Sequence, residues 1–209
     1  MILFILWTLL QTANTSSDPN AVALLKKTSA KYKAYSSIET SFTIKVDLPD
    51  NPNDQNIQGK LTIKGSKFYL STPEMNSYCD GKTIWNHLPN DNQIQISQYT
   101  KSEQGFDPQD IFTIWDKEFT TRIKESGTFN SKAATILELF PIKKNESYFK
   151  LEVYIEKSTN NLLGLKMFEK NGTKTTYSLT LLGVNRIKDD SVFTLNVKNF
   201  PKAEIIDLR

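Results

Sequence analysis

Asn76-Ser77-Tyr78-Cys79-Asp80-Gly81-Lys82-Thr83-Ile84-Trp85 is the stretch on which the fold turns. Asp80-Gly81 lies between two β-prone runs, and Asp-Gly readily supplies the two consecutive positive φ angles of a type I′ hairpin turn. The stretch therefore predicts a tight hairpin with Asp80 and Gly81 at its tip. Before it, Ile57 to Lys64 reads as a strand that turns at Gly65-Ser66 into another around Phe68 and Leu70. After it comes a turn at Pro89-Asn90-Asp91-Asn92 and a strand carrying Ile94 and Ile96. This is a meander of antiparallel strands with short connections.

Towards the N-terminus, Ile38, Thr40, Phe42, Ile44, Val46 and Leu48 alternate with polar residues, a strand with one apolar face. Pro49 to Asn56 is rich in turn formers and predicts a loop. Asp18-Pro19 supplies a helix N-cap and a proline at the first helical position. Ala21, Leu24, Leu25, Thr28, Tyr32 and Tyr35 then fall on one helical face. The run Met1 to Leu10 is almost wholly apolar, too short to span a bilayer and of the length of a signal-peptide core. Residues 1–13 are accordingly expected to be removed on export, which leaves one domain over 18–209.

Towards the C-terminus, Asp107-Pro108 repeats the cap-plus-proline signal ahead of Ile111, Phe112, Ile114, Trp115 and Phe119, a short and very apolar helix. These side chains cover more than one helical stripe, which fits either core packing or a lid over an apolar cavity. Strands are then predicted at 119–125, 133–140, 148–156, 162–169 and 173–184. Ser126-Gly127, Lys144-Asn145, Thr159-Asn160-Asn161 and Asn171-Gly172 mark the turns. Val192 to Leu208 reads as extended, with a break at Pro201. The expectation is a mainly β fold with two helices available to cover one face.

The chemistry-bearing residues are few. The 209 residues carry 26 Lys and Arg against 23 Asp and Glu, and the charges are mixed along the chain. No basic run tracks a phosphate backbone, so nucleic acid is set aside. One histidine, His87, cannot supply a paired-histidine metal site, and no Gly-x-Ser-x-Gly elbow presents a serine nucleophile. Asp189-Asp190 and Asp47/Asp50 lie in predicted turns, where carboxylates commonly cap backbone N–H groups. The single Cys79 reads as a buried, inert thiol. The chain is expected not to be an enzyme and to need no cofactor. Twelve Phe and three Trp point instead to binding of something apolar.

The ordered set Ser41-Phe42-Thr43, Gly59-Lys60-Leu61-Thr62-Ile63-Lys64 and Asp80-Gly81-Lys82-Thr83-Ile84-Trp85 resembles the LolA family of periplasmic lipoprotein carriers. The Pro108-Gln109-Asp110-Ile111 helix start, Leu137-Glu138-Leu139-Phe140-Pro141 and Val192-Phe193-Thr194 extend the resemblance over nearly all of 18–208. It implies an unclosed antiparallel β-barrel, a half-barrel covered by a helical lid, whose concave side holds lipoprotein acyl chains. Candidate cavity and lid residues are Phe42, Ile44, Val46, Leu61, Ile63, Phe68, Leu70, Trp85, Ile111, Phe112, Trp115, Leu151 and Val153. The family's lid-holding arginine follows the strand lysine; here Gly65 follows Lys64, which leaves Lys64 and Lys67 as candidate lid contacts.

The resemblance further implies a monomer in the periplasm that takes cargo from an inner-membrane lipoprotein-releasing transporter. It would pass that cargo to an outer-membrane acceptor. Two alternatives stay open. One is a carrier of another amphiphile, such as a glycolipid or pigment precursor. The other is an envelope-stress sensor module that binds lipid and a regulatory partner. Sensors of that kind carry a second domain, for which strands running to Leu208 are expected to leave no room.

Overall fold

The computed structural model describes residues 16–100, 111–112, 119–143 and 147–209, without the side chains of 51–55. Helix α1 (Pro19–Lys33) comes first, and Asp18 caps it: its carboxylate accepts from the Asn20 N–H at 2.8 Å. Strands β1 (Ile38–Leu48), β2 (Asn51–Lys64), β3 (Lys67–Ser71), β4 (Asn76–Cys79), β5 (Thr83–Leu88) and β6 (Gln93–Gln98) form the first meander. Strands β7 (Phe119–Phe129), β8 (Lys132–Pro141), β9 (Tyr148–Glu156), β10 (Leu162–Glu169) and β11 (Lys174–Val184) form the second. The chain ends in β12 (Glu204–Asp207).

The strands form one open sheet in the order β12-β6-β5-β4-β3-β2-β1-β11-β10-β9-β8-β7. β1 joins the halves: it pairs antiparallel with β2 on one side and with β11 on the other. The main core lies on the concave face, where Leu61, Ile63 and Phe68 of the first meander meet Leu137, Leu139, Leu151, Val153 and Leu165 of the second. Ala21, Leu25 and Tyr32 of α1 pack into this core. The helix is pinned at both ends. Asp18 N–H donates to the Thr121 carbonyl at 2.7 Å, and the Lys31 ammonium donates to the Thr159 carbonyl at 2.8 Å. The Tyr32 hydroxyl accepts from the Leu162 N–H at 3.0 Å; burial pushes its pKa up to about 12, so it stays neutral.

The half-barrel architecture expected from the sequence is what is found, with four local differences. First, the Asp80-Gly81 tip is not a type I′ turn. Only Gly81 takes a positive φ, of 91°, and one Asp80 carboxylate oxygen accepts from the N–H groups of Lys82 and Thr83 at 2.8 Å each. The Asp80 N–H also donates to the Thr83 carbonyl at 3.2 Å, so Gly81 and Lys82 form the tip beyond the paired Cys79 and Ile84. Second, Ser126-Gly127 is not a turn: β7 runs on to Phe129, and the hairpin falls at Asn130 and Ser131, with φ of 47° and 64°. Two consecutive positive φ values opposite a Phe129–Lys132 pair match the right-handed twist of the strands. Third, the loop expected over Pro49–Asn56 shrinks to Pro49 and Asp50, because the backbone from Asn51 pairs with β1.

The fourth difference is at the C-terminus, where an extended segment was expected from Val192. Short 3-10 helices at Asp190–Phe193 and Val197–Asn199 carry the chain over the convex face instead. Leu195, Val197, Phe200 and Ala203 cover Tyr78, Trp85, Ile94 and Ile96 there. β12 then adds to β6 in parallel, at an edge of an otherwise antiparallel sheet.

The convex face of the second meander carries a ladder of charges. Glu138 bonds Arg122 at 2.7 Å and Lys150 at 3.1 Å, while Glu152 bonds Lys150 at 2.9 Å and Lys124 at 3.1 Å. The Tyr154 hydroxyl donates to Glu152 at 3.0 Å. Burial pushes both carboxyl pKa values up, but the hydrogen bonds from Lys150 and its neighbours outweigh it and hold both below the usual range.

Two outcomes follow from these contacts. A group whose folded pKa is depressed contributes stability above its unfolded pKa, about 4.3 for Glu, and loses it as pH falls through the folded value. Thermal melts from pH 6 downward should therefore show a fall in Tm below about pH 4 that is shallower in Glu152→Gln than in the parent. At the β4–β5 tip, a Cβ on Gly81 would sit 2.5 Å from Ser66 Oγ on a backbone at positive φ. Gly81→Val should lower Tm far more than Lys82→Ala, and melts of the two variants check it.

Candidate functional site

α1 does not cover the whole concave face. Its buried residues share the core with β7 to β10, and beside them, against β1, β2, β3, β5 and β11, lies a cavity of about 520 Å³. Phe42 and Ile44 of β1, Leu61 of β2, Leu70 of β3 and Leu88 of β5 form its floor and one wall. Tyr177 and Leu179 of β11 form the other, and Ile111 is buried against it. The rim is made by Asn56, Ile57, Thr72, Pro73, Glu74 and Met75. Among the described residues Glu74 is the one charged group in a lining dominated by aliphatic and aromatic side chains.

The alternation of β1 explains the cavity's chemistry. Phe42 and Ile44 lie on the same face as Thr40 and Val46, and register places Leu179 beside Phe42 and Tyr177 beside Ile44. Two apolar pairs across one seam give a continuous hydrocarbon surface. Burial, followed by the nearby Glu169 charge, pushes the Tyr177 pKa up, so its hydroxyl adds no charge to that surface.

The candidate residues from the sequence divide into groups. Phe42, Ile44, Leu61, Leu70 and Ile111 line the cavity. Ile63, Phe68, Phe112, Leu151 and Val153 are buried core residues instead. The Phe112 ring stacks on Tyr32 at 4.3 Å between centroids and 18° between planes, which ties it to α1. Val46 shares the face of Ile44 but sits beyond the cavity, between Thr175 and Gln55. Trp85 does not face the cavity: on β5 it is Ile84 that packs into the concave core, so its neighbour Trp85 points to the convex face and packs under the C-terminal segment. Apart from Ile111, Phe112 and Phe119, which is the first residue of β7, the expected mid-chain helix with Ile114 and Trp115 lies outside the described residues, as do residues 1–13 and the turn expected at Lys144-Asn145.

Lys64 and Lys67 flank the β2–β3 turn and both bond the carboxylate of Asp190, at 2.7 and 2.5 Å. Those two hydrogen bonds hold the Asp190 carboxyl below its ordinary pKa. They fasten the first 3-10 helix of the C-terminal segment to the convex side, where Phe193 is fully buried. Asp189 caps the same helix through the Ser191 N–H at 3.0 Å, the capping use expected of the pair. The cavity residues that sequence reasoning missed are Asn56, Ile57, Thr72, Pro73, Glu74, Met75, Leu88, Tyr177 and Leu179. The alternation of β11 carried a signal for Tyr177 and Leu179; the 72–75 turn carried none.

Among the described residues no helix is long and apolar enough to cross a membrane, and no cluster of His, Cys, Asp and Glu could hold a metal ion. No curated protein matches the sequence. An uncharacterised conserved protein from Thermus thermophilus has a similar fold, with a TM-score of 0.55 at 11% identity, over 90% of this chain and 99% of that one. The lipoprotein LppX of Mycobacterium tuberculosis aligns with a TM-score of 0.51 at 10% identity, over 83% of this chain and 99% of that one. LprF of Mycobacterium bovis gives 0.51 at 13% identity, over 83% and 97%. At these identities the likeness is one of fold. The family model for the outer membrane lipoprotein carrier protein LolA matches residues 33–196, from the end of α1 to the 3-10 segment. That span covers both meanders, the seam between them and every strand that lines the cavity, and the chain belongs to the LolA family.

Proposed function

We propose that this protein is a non-enzymatic periplasmic carrier that holds the acyl chains of lipoproteins in its concave cavity and moves them between the two membranes. The observation that carries the reading is the cavity itself: about 520 Å³, apolar, and left uncovered by α1 on the face that the family model spans. Its volume falls within the roughly 300–1,000 Å³ of small-molecule sites. Each methylene moved into such a site contributes about 0.8 kcal/mol, so about ten would supply ~8 kcal/mol, the free energy of a Kd near ~1 μM. Recognition of this kind needs shape and hydrocarbon surface rather than a polar motif.

In this reading an inner-membrane transporter loads the carrier and an outer-membrane acceptor unloads it. Loading and unloading require no chemistry of the protein, only transfer of a chain between apolar surfaces. The rim around Ile57, Pro73 and Met75, with Ile57 exposed, is the side from which a chain would enter.

A fluorescent acyl probe should bind the full chain, and because it binds only the folded state it should raise Tm, by an amount equivalent to about 2.7 kcal/mol at a hundredfold excess over Kd. Ile44→Asn and Leu70→Asn, both half-buried cavity positions, should weaken the probe by at least tenfold with smaller loss of stability. Phe112→Ala should do the reverse. Removing a buried, stacked ring costs ~3–5 kcal/mol, while affinity in the folded fraction stays within twofold. Titration and melting of the three variants check the order. Absence of probe binding by the parent protein rejects the carrier reading.

A further inference from the structure

The rim of the cavity includes a strand edge that is paired on one side only. β3 pairs with β2 over Lys60 to Lys64, whereas β2 extends back to Asn51. β3 stops at Ser71 because the chain turns back into β4, with the Thr72 N–H donating to the Met75 carbonyl at 2.9 Å. From Gly59 to Asn51, no strand among the described residues lies on the β3 side of β2, while β1 holds the other side. Burial follows the same division. Leu61 and Ile63, beside β3, are buried, but Ile57 on the same face is 39% exposed. Asn56, Gln58 and Lys60 are exposed as well.

Two hollows adjoin along this edge. Asn56 and Ile57 belong to the lining of the apolar cavity. Gln58, Gly59 and Lys60 belong to that of a groove of about 540 Å³, which also takes in the hydroxyls of Ser41, Thr43 and Ser71. Thr72 and Pro73 line both. Passing from Ile57 to Gln58 along β2 thus exchanges hydrocarbon surroundings for polar ones. A lipoprotein has the same two parts in covalent sequence, acyl chains and then polypeptide. The polypeptide must emerge where the chains enter, and at this rim it meets main-chain N–H and C=O groups that point away from β1 and have no strand partner.

We propose that the edge of β2 over Asn56–Gly59 is a binding site for the cargo's polypeptide: the extended segment next to the acyl chains adds to β2 as a further strand. The proposal rests on the reading of the cavity as an acyl-chain site and names what holds the rest of the cargo. Four extended residues span roughly 13 Å and suffice to pair from Gly59 to Asn56. Strand addition takes its affinity from the main chain, so segments of differing sequence fit the same edge. Their side chains face the hydroxyl and amide groups of the groove on one side of the new strand and the cavity rim on the other.

Two amphiphiles test this on the full chain: N-dodecanoyl glycinamide, and a dodecanoyl hexapeptide amide of alternating Ser and Ala. Both should displace a fluorescent acyl probe. The hexapeptide should bind about tenfold more tightly, the scale left by a few net main-chain hydrogen bonds. Successive N–H groups of a strand point to opposite sides. Of two hexapeptides N-methylated at alternate residues in the two possible phases, one should therefore lose the gain and the other keep it. Amide exchange followed by NMR should slow at alternate residues of Asn56–Gly59 with the hexapeptide and not with the glycinamide. If the two amphiphiles bind alike, if both methylated peptides keep or both lose the gain, or if exchange over Asn56–Gly59 is the same with either ligand, the strand site is overturned while the cavity stands. It is overturned too if the parent alone dimerises with those amides already protected, since a second copy then holds the edge. If neither amphiphile displaces the probe, the acyl-chain reading falls with it.

Discussion

β1 is hydrogen-bonded on both sides, to β2 through a tight hairpin and to β11 from the far end of the second meander. Among the described residues no other strand pairing joins the two meanders. Main-chain bonds along β1 fix the register, and register places Phe42 beside Leu179 and Ile44 beside Tyr177. The cavity is lined from both sides of this seam, so it exists only when the seam is made. A slip of one residue would turn every apolar side chain of β1 to the convex face. The strict alternation of Ile38 to Leu48 is what makes that slip expensive.

The covering of the sheet is asymmetric. α1 fills the concave side of the second meander, with Tyr32 and Phe112 stacked and Ala21 and Leu25 buried. The concave side around β1, β2 and β3 keeps its apolar surface without a comparable filling from the described residues. Outside, the two halves also differ. The second meander carries the Glu138–Lys150–Glu152 ladder, whereas the first is covered by its own C-terminal segment, fastened by Asp190 to Lys64 and Lys67. Interior packing holds one half and a strap holds the other.

Much of this was legible in the sequence because alternation and turn chemistry are local signals. β1 could be read residue by residue, and Asp18-Pro19 gave the helix start. What failed was what depends on distant partners. Trp85 and Ile84 are both apolar neighbours on β5, and only the packing of the C-terminal segment shows that Trp85 faces outward. Ser126-Gly127 has turn composition, but pairing with Ala134 and Thr135 keeps it in a strand, and Asn130-Ser131, without glycine, makes the bend. Asp190 was visible as a turn acid, while its bonds to Lys64 and Lys67 cross more of the chain than any sequence pattern spans. Of the cavity lining, Phe42, Ile44, Leu61, Leu70 and Ile111 were among the residues singled out from the sequence. The contributions of β11, the 72–75 turn, Leu88 and the Asn56-Ile57 end of β2 needed the register.

The parallel edge strand β12 sets an order of events during folding. β1 to β6 can form their hairpins from neighbouring residues, a low-contact-order process that is intrinsically fast. β6 nevertheless remains a bare edge, with Ile94 and Ile96 uncovered, until residues 195–207 have crossed the convex face. During synthesis that delay lasts for the whole of the second meander. An unpaired strand with apolar side chains is a template for other chains. The interval in which this edge lies open to other chains is therefore set by how far β12 lies from β6 in the chain, and not by the size of the core.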